Sequence, residues 1–200
     1  MMNLKTELLE VIANKNRGLL ATEIDKIKIL TAVEKLEDCN PNVNVFDNLL
    51  LLQGDWRLLY TTSKNILSLN NLPLVQLGEI YQCIRTDNTN IYNIAEIKGL
   101  PLLEGLICVV ASFEIVSTKR VNIKFQRSIF GLQKILSYVS PANLINRIEM
   151  GKKFFPFDFS FGKSNFNQNN PQGWLEITYL DENLRIARGN EGNVFILERC

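Results

Sequence analysis

The chain has 200 residues, 46% of them apolar, which is enough to bury the core of one ordinary domain. Lys and Arg number 22 against 21 Asp and Glu, so the net charge of +1 provides no general field to attract nucleic acid or an anionic bilayer. The chain has no histidine, which excludes Ser-His-Asp and Cys-His catalytic systems and every histidine-ligated metal or haem site.

The first forty residues have the pattern of a helical hairpin (residues 1–40). Gly18 separates two segments in which apolar side chains recur at helical spacing. Thr22, followed three positions later by an acidic residue, is a suitable N-cap for the second helix, and Asn40-Pro41 ends it. The predicted apolar stripes are Leu4, Leu8, Val11 and Ile12 in the first helix and Ile24, Ile27, Leu30, Val33 and Leu36 in the second.

After Asn48 the pattern changes to short segments of alternating apolar and polar residues, separated by turn sequences. Such segments, with no crossover helices of the βαβ kind between them, predict an antiparallel meander, which loses its exposed edges by closing into a barrel. The predicted fold class is mainly β (α+β), a single domain over residues 1–200 in which segments 49–129 and 174–199 supply a barrel of about eight strands. The predicted strands cover residues 54–62, 79–85, 90–98, 106–117, 120–127, 174–180, 183–187 and 193–198.

The segment 130–173 is the least regular part of the sequence, and we expect an irregular insert there. Two short helices are predicted at 131–140 and 141–148, and a polar surface loop at 162–173. Between the second of these helices and the loop, every second residue is a phenylalanine, so that these side chains share one face of an extended segment, and Lys152 and Lys153 precede it. This face either buries into the barrel core, or lines a lipid pocket or contacts a membrane beside the two lysines. Its members are Phe155, Phe157, Phe159 and Phe161.

The Gly54-Asp55-Trp56 sequence at the start of the first strand predicts a structural role for the tryptophan. We expect its indole to close one end of the barrel, where a cation from the last strands covers it. Arg185 and Arg188 are the candidates for that contact.

Three segments together resemble the plastid lipid-associated protein (fibrillin) family of cyanobacteria and plastids. They are Leu52–Thr62, Gly78–Ile84 and Ile177–Gly189, the last followed by Gly192 and Phe195. The resemblance covers nearly the whole chain apart from residues 130–173.

This resemblance implies a lipocalin-like barrel that binds apolar small molecules of the prenylquinone or carotenoid class, at thylakoids and at lipid droplets called plastoglobules, and that is linked to photosynthetic stress protection. Because the sequence starts without a transit peptide, we expect a cyanobacterial-type member in the cytoplasm or peripherally on the thylakoid membrane, or in a plastid if it is plastid-encoded. The structural signature that the resemblance implies consists of Gly54, Trp56, Arg185, Arg188 and Gly189.

An eight-stranded barrel either fills itself with side chains or holds one small ligand. From strand parity we nominate six aromatic side chains as ligand contacts, although each fits equally well in an ordinary core or against the N-terminal helices. They are Tyr60, Tyr81, Tyr92, Phe113, Phe125 and Tyr179.

The sequence therefore predicts a non-catalytic carrier or scaffold for apolar lipids or isoprenoids, with a peripheral membrane contact and no nucleic-acid partner. We expect no catalytic residue, no metal and no cofactor. The alternative is a protein-interaction module that docks on an enzyme of prenylquinone synthesis through its N-terminal helices and has no ligand of its own.

Overall fold

The computed structural model describes residues 4–71, 76–161 and 173–200. Within these residues, nine antiparallel strands form one sheet that curves into a closed ring. Most of the predicted polar loop, residues 162–172, lies outside the described residues. The strands are β1 Gly54–Thr61, β2 Gln76–Arg85, β3 Asn90–Lys98, β4 Gly105–Ile115, β5 Arg120–Leu132, β6 Phe157–Ser160, β7 Gly173–Leu180, β8 Leu184–Gly189 and β9 Val194–Arg199.

Eight of the strands close the barrel, in the order β1-β2-β3-β4-β5-β7-β8-β9 and back to β1. The long strand β5 makes this closure, because its first half, Arg120–Ile123, pairs with β7, while its second half, Arg127–Phe130, pairs with the short strand β6. The predicted antiparallel barrel of about eight strands is confirmed, since each of these eight strands overlaps a segment that alternation and turn residues predicted, whereas β6 was not predicted as a strand. β5 ends at Leu132, five residues beyond its predicted end, because it continues to pair with β4 up to Leu132 and with β6 up to Phe130.

The predicted helical hairpin is confirmed as α1 (Leu4–Ile12) and α2 (Glu23–Glu37), with the capping box at Thr22 formed. It packs on the outside of the barrel, where Leu8 and Val33 share a buried cluster with Ile186. Arg188 of β8 joins this docking through two hydrogen bonds to the Glu37 carboxylate, of 2.9 and 2.7 Å.

The predicted apolar stripe of α2 is partly wrong. Ile24 and Ile27 are each 66% exposed, whereas Ile29 and Ala32 are buried together with Val33 and Leu36. The buried set follows the spacing i, i+3, i+4, i+7, and Ile24 and Ile27 project from the opposite side of the helix.

Two further helices, α5 (Gln133–Leu136) and α6 (Pro141–Glu149), cover another part of the outer wall. Ser140 caps α6 and Pro141 occupies its first turn, as helix N-termini favour. The buried side of α6 packs against outward-facing side chains of β2, β3 and β5, so the barrel wall is buried on both faces here. The shared cluster includes Leu144, Ile145, Ile148, Cys83, Ile94 and Ile129.

Two short helices mark the two ends of the barrel. α3 (Leu49–Leu52) leads into β1 at the end that holds Trp56, and α4 (Lys64–Leu67) follows β1 at the other end. The interior between these ends contains the candidate site.

Candidate ligand cavity in the barrel

The barrel interior holds a cavity of about 890 Å³. This volume lies within the range of small-molecule sites in proteins. Among the described residues, no charged side chain lines it, and the wall is mainly aliphatic. The aliphatic lining includes Leu58, Ile80, Ile91, Ile107, Ile123 and Leu197.

The cavity opens at the end of the barrel that carries α4. Asn65 and Ile66 of α4, Trp174 at the start of β7 and Asn190 after β8 line it there. Phe125 also lines this part of the cavity and is 37% exposed. We call this end the mouth.

Aromatic side chains of β5 and β6 stack beside the mouth. Phe130 lies 4.6 Å from Phe157 and 5.7 Å from Phe159 between ring centroids, with nearly parallel planes. Phe157, Phe159 and Phe161 are 44%, 50% and 45% exposed, and Phe161 lines the cavity. The interpretation that this alternating face buries into the barrel core is therefore wrong, because β6 pairs with β5 at the rim, outside the closed ring.

The opposite end of the barrel is closed beneath Trp56. The indole is fully buried, and its Nε1 donates a hydrogen bond of 3.0 Å to the carbonyl of Leu52. The cation expected above the ring is Arg185, whose guanidinium carbon lies 5.0 Å from the ring centroid, and a second cation, Arg199, lies 4.3 Å from it. Arg188 instead pairs with Glu37 outside the barrel.

Arg185 is 1% exposed, and among the described residues its Nε has no hydrogen-bond partner. Burial, together with the nearby charge of Arg199, lowers the pKa of Arg185 to about 9. The guanidinium therefore stays protonated at neutral pH and places a positive charge at the closed end of an apolar interior.

Gly54 makes the approach of Arg199 possible. Its φ of +141° lies in the region that favours glycine, and a Cβ at this position would collide with Nη1 of Arg199. Arg199 donates hydrogen bonds to the carbonyls of Leu51, Gln53 and Glu182, so it ties the start of β1 to the end of β9. Gly189 borders the cavity, and a Cβ there would lie 3.1 Å from the Phe195 ring.

Two neutral polar side chains connect Arg185 at the closed end to the cavity. Arg185 Nη2 donates a hydrogen bond of 2.5 Å to Gln82 Oε1, and Gln82 Nε2 donates one of 2.9 Å to Asn93 Oδ1. Gln82 and Asn93 are register partners on β2 and β3, and both line the cavity, whose wall continues to Ser128 of β5.

The six nominated aromatic residues divide between the two faces of the barrel wall. Phe125 lines the cavity, and Phe113 lies in the interior cluster near the closed end. The remaining four pack in the outer clusters. Tyr60 and Tyr179 lie beneath the N-terminal helices, and Tyr92 and Tyr81 lie near α6. Tyr81 is half-buried and also borders the cavity.

Hydrogen bonds show how two of the outer tyrosines are held. The Tyr179 hydroxyl donates to Asp181 at 2.8 Å, and the Tyr92 hydroxyl donates to Glu149 of α6 at 3.1 Å. Burial, reinforced by Asp181, raises the pKa of Tyr179 well above its usual value, and burial raises that of Tyr92 to about 12. Of the six, Phe113 and Phe125 lie in the interior, and Tyr81 borders the cavity from the outer cluster.

Sequence reasoning missed Gln82, Asn93, Trp174 and Arg199. A signal existed for the first two, because each is a polar residue at an inward position between apolar ones: Gln82 lies between Ile80 and Ile84 on its strand. Such a position in an apolar series indicates a buried hydrogen-bonding role.

Across residues 4–71, 76–161 and 173–200, no group of three or more Cys, Asp or Glu residues is arranged to hold a metal ion. No helix in the same ranges has both the length and the apolar character needed to cross a membrane.

Comparison with known proteins gives a consistent set of relatives. The PAP_fibrillin family model matches residues 2–198. The chain is 36% identical to the light-induced protein, chloroplastic, of Solanum tuberosum, 33% to the plastid-lipid-associated protein, chloroplastic, of Citrus unshiu and 31% to the chromoplast-specific carotenoid-associated protein of Cucumis sativus.

These alignments cover 97% of this chain and 66%, 67% and 66% of the three relatives, so the chain spans about two thirds of their length. No solved structure gives a significant match. The family model covers nearly the whole sequence, and the predicted resemblance is confirmed: the chain belongs to the PAP_fibrillin family of plastid-lipid-associated proteins.

Proposed function

We propose that this protein binds one apolar lipid or isoprenoid in the barrel cavity and carries it without converting it chemically. The observation that carries the proposal is the 890 Å³ cavity with an aliphatic wall and, among the described residues, no charged lining side chain. Such a surface gains free energy when it covers an apolar ligand, since about 25 cal/mol is gained per Å² of apolar surface removed from water. The names of the relatives, which refer to plastid lipid and to carotenoid, support this class of ligand.

The mouth provides a route between the cavity and a lipid surface. Phe157 and Phe159 are half-exposed there, and Phe155 just before them is 83% exposed. Exposed Lys152 and Lys153 precede this segment and suit anionic headgroups. We propose that β6 contacts a thylakoid or lipid-droplet surface while ligand enters or leaves, and that the protein acts in a plastid or a cyanobacterium, with a prenylquinone or a carotenoid as its ligand.

Lipid extraction tests the carrier proposal. Protein purified from a photosynthetic host is extracted with organic solvent, and its lipid content is compared with that of the Val109→Trp variant. Val109 lines the cavity, so the larger indole side chain occupies part of the cavity volume. Lys124→Trp is the control, because it adds the same indole at an exposed position. We expect bound lipid in the wild type and the control and little in Val109→Trp. Equal, background-level lipid in all three proteins would contradict the proposal.

A second function is favoured by the exposed side of α2. Ile24 and Ile27 of α2 are each 66% exposed, and Leu20, just before the helix, is 65% exposed. These apolar side chains fit docking on a prenylquinone-synthesis enzyme by a protein that has no ligand of its own. The test measures binding of that enzyme to the wild type and to an Ile24→Glu/Ile27→Glu double variant. Docking predicts that binding is lost in the variant, and equal binding by both proteins would contradict it.

A further inference from the structure

We propose that Asn93 is the residue by which the cavity selects ligands that carry a neutral hydrogen-bond acceptor, such as a ketone or quinone-type carbonyl, at the end that enters first. This inference rests on the proposed carrier function and specifies the chemistry of the ligand. It depends on the polar connection between Arg185 and the cavity.

The connection has a direction. Arg185 donates to the oxygen of Gln82, and Gln82 donates through its nitrogen to the oxygen of Asn93. Each amide therefore accepts on the side of the cation and donates on the side of the cavity. Hydrogen bonds in such a series polarise one another, so the cation strengthens the last donor.

The last donor of the series is the side-chain nitrogen of Asn93. Among the described residues it has no hydrogen-bond partner, and Asn93 lines the cavity. An amide N–H in an apolar space costs free energy when it is left unpaired, and the same low dielectric strengthens a bond to any acceptor that arrives.

The alternative orientation of the Gln82 and Asn93 amides is unfavourable. If the Gln82 amide were turned, its NH₂ group would face the Arg185 guanidinium, and two donors would oppose each other. The buried charge of Arg185 therefore fixes both amides, and with them the donor that faces the cavity.

The surroundings favour a neutral acceptor over a charged one. Apart from Gln82, its register partner on β2, the neighbours of Asn93 in the wall are Ile91 and Ala95 on its own strand and Val109 opposite on β4, all apolar. A carboxylate or phosphate would lose its hydration there and gain contact with a neutral amide only, because Gln82 separates it from Arg185. A carbonyl loses little hydration and gains one charge-reinforced hydrogen bond.

The test compares two probes, an open-chain isoprenoid methyl ketone and the hydrocarbon in which a methylene group replaces the carbonyl. Equilibrium dialysis gives the affinity of each for the wild type and for Asn93→Leu, and the ratio of the two affinities is compared between proteins so that water solubility cancels. We expect the ratio to shift against the ketone by roughly three- to tenfold in the variant, the value of one hydrogen bond. Infrared spectra should show the carbonyl stretch of the bound ketone at a lower frequency in the wild type than in the variant.

Two further variants complete the test. Lys124→Leu introduces the same side chain at an exposed position outside the cavity lining, so its affinity ratio should equal that of the wild type. Asn93→Asp keeps the shape of the side chain and removes the donor, so it should also disfavour the ketone. It provides the comparison with the wild type if Asn93→Leu does not fold.

An unchanged ratio and carbonyl frequency, with both probes bound, would overturn the role of Asn93 and leave the carrier proposal standing. Failure of the wild type to bind either probe would overturn the carrier proposal and the selectivity together.

Discussion

Arg127 of β5 and Asp158 of β6 form a bidentate ion pair, with Nε to Oδ1 at 2.7 Å and Nη2 to Oδ2 at 2.6 Å. The pair is largely buried, since 17% and 12% of the two side chains are exposed. Asp158 also accepts a hydrogen bond of 2.8 Å from the backbone nitrogen of Phe154. The carboxylate of Asp158 thus adds three hydrogen bonds to the backbone pairing that holds the four-residue strand β6 on the barrel rim.

Substitution of Asp158 by Asn should loosen β6. Two charge-assisted hydrogen bonds are weakened, and we expect the free energy of unfolding to fall by about 1–3 kcal/mol. Hydrogen exchange of the backbone amides of Phe157–Ser160 should accelerate more than that of β8, which Asp158 does not contact. Equal acceleration in both strands would mean that the substitution acts globally and not on β6.

The same pair predicts a pH dependence of stability. The hydrogen bonds from Arg127 hold the pKa of Asp158 below its usual value. A carboxyl group whose pKa is lower in the folded state contributes its full stabilisation above its unfolded pKa of about 3.9, and that contribution is lost as the pH falls through the folded pKa. Urea unfolding of the wild type and Asp158→Asn should therefore differ most near neutral pH and converge in acid. A constant difference across this range would contradict the assignment.

Gly54→Ala should be among the more costly glycine substitutions. The new Cβ collides with Arg199 and the residue must hold a φ of +141°, so we expect a loss of about 2–3 kcal/mol in unfolding free energy. Gly151→Ala is the control, because Gly151 also has a positive φ, +75°, but among the described residues no atom beyond its two chain neighbours lies within 4 Å of the added Cβ. Its loss should be about 1 kcal/mol, and similar losses at both positions would exclude a role for the Arg199 contact.

Ligand entry should be visible in the fluorescence of one tryptophan. Trp174 lines the cavity near the mouth, with the Arg120 guanidinium carbon 4.1 Å from its ring centroid, whereas Trp56 is fully buried at the closed end. An apolar ligand should shift or quench the emission of the wild type, and Trp174→Phe should abolish the response while the emission of Trp56 persists. A response retained in Trp174→Phe would place the ligand elsewhere.

The four thiols should fall into two reactivity classes. Cys39 and Cys200 are exposed, and Cys83 and Cys108 are buried in the outer cluster beneath α6. Burial raises the pKa of Cys108 to about 12 and that of Cys83 further, so neither forms a thiolate at neutral pH. A thiol reagent should label two cysteines rapidly in the native protein and all four in denaturant. Rapid labelling of all four without denaturant would contradict the described packing of α6.

Local patterns predicted the barrel well because strand formation here depends on neighbours in sequence. Alternation and turn residues located β1 and β3 to within one residue, since a two-residue period and a tight turn are local properties. The Gly54–Trp56 motif likewise indicated a closed end. The choice between Arg185 and Arg188 required the structure. The two residues lie on opposite faces of β8, and the sequence does not show which face points into the barrel, towards Trp56, and which points outwards, towards Glu37.

The candidate site was harder to predict because parity alone does not identify the inside of a barrel. Tyr60, Tyr92 and Tyr179 look like wall residues of a pocket, but the helices cover the outer face too, and both faces of the wall are apolar. Gln82 and Asn93 show the converse, since their role depends on Arg185, about one hundred residues further along the chain.

The sequence by itself determined the class of this protein: an antiparallel barrel with a helical hairpin, no histidine chemistry and family motifs in the first and in the late strands of the barrel. Composition and short-range periodicity carry that information, because they reflect the preferences of neighbouring residues. Only the tertiary structure decided which face of each strand is the cavity, which arginine covers Trp56 and where the phenylalanines of β6 lie. Those features arise when β5 pairs with β4, β6 and β7, and the closing of a ring brings together residues that no local pattern relates.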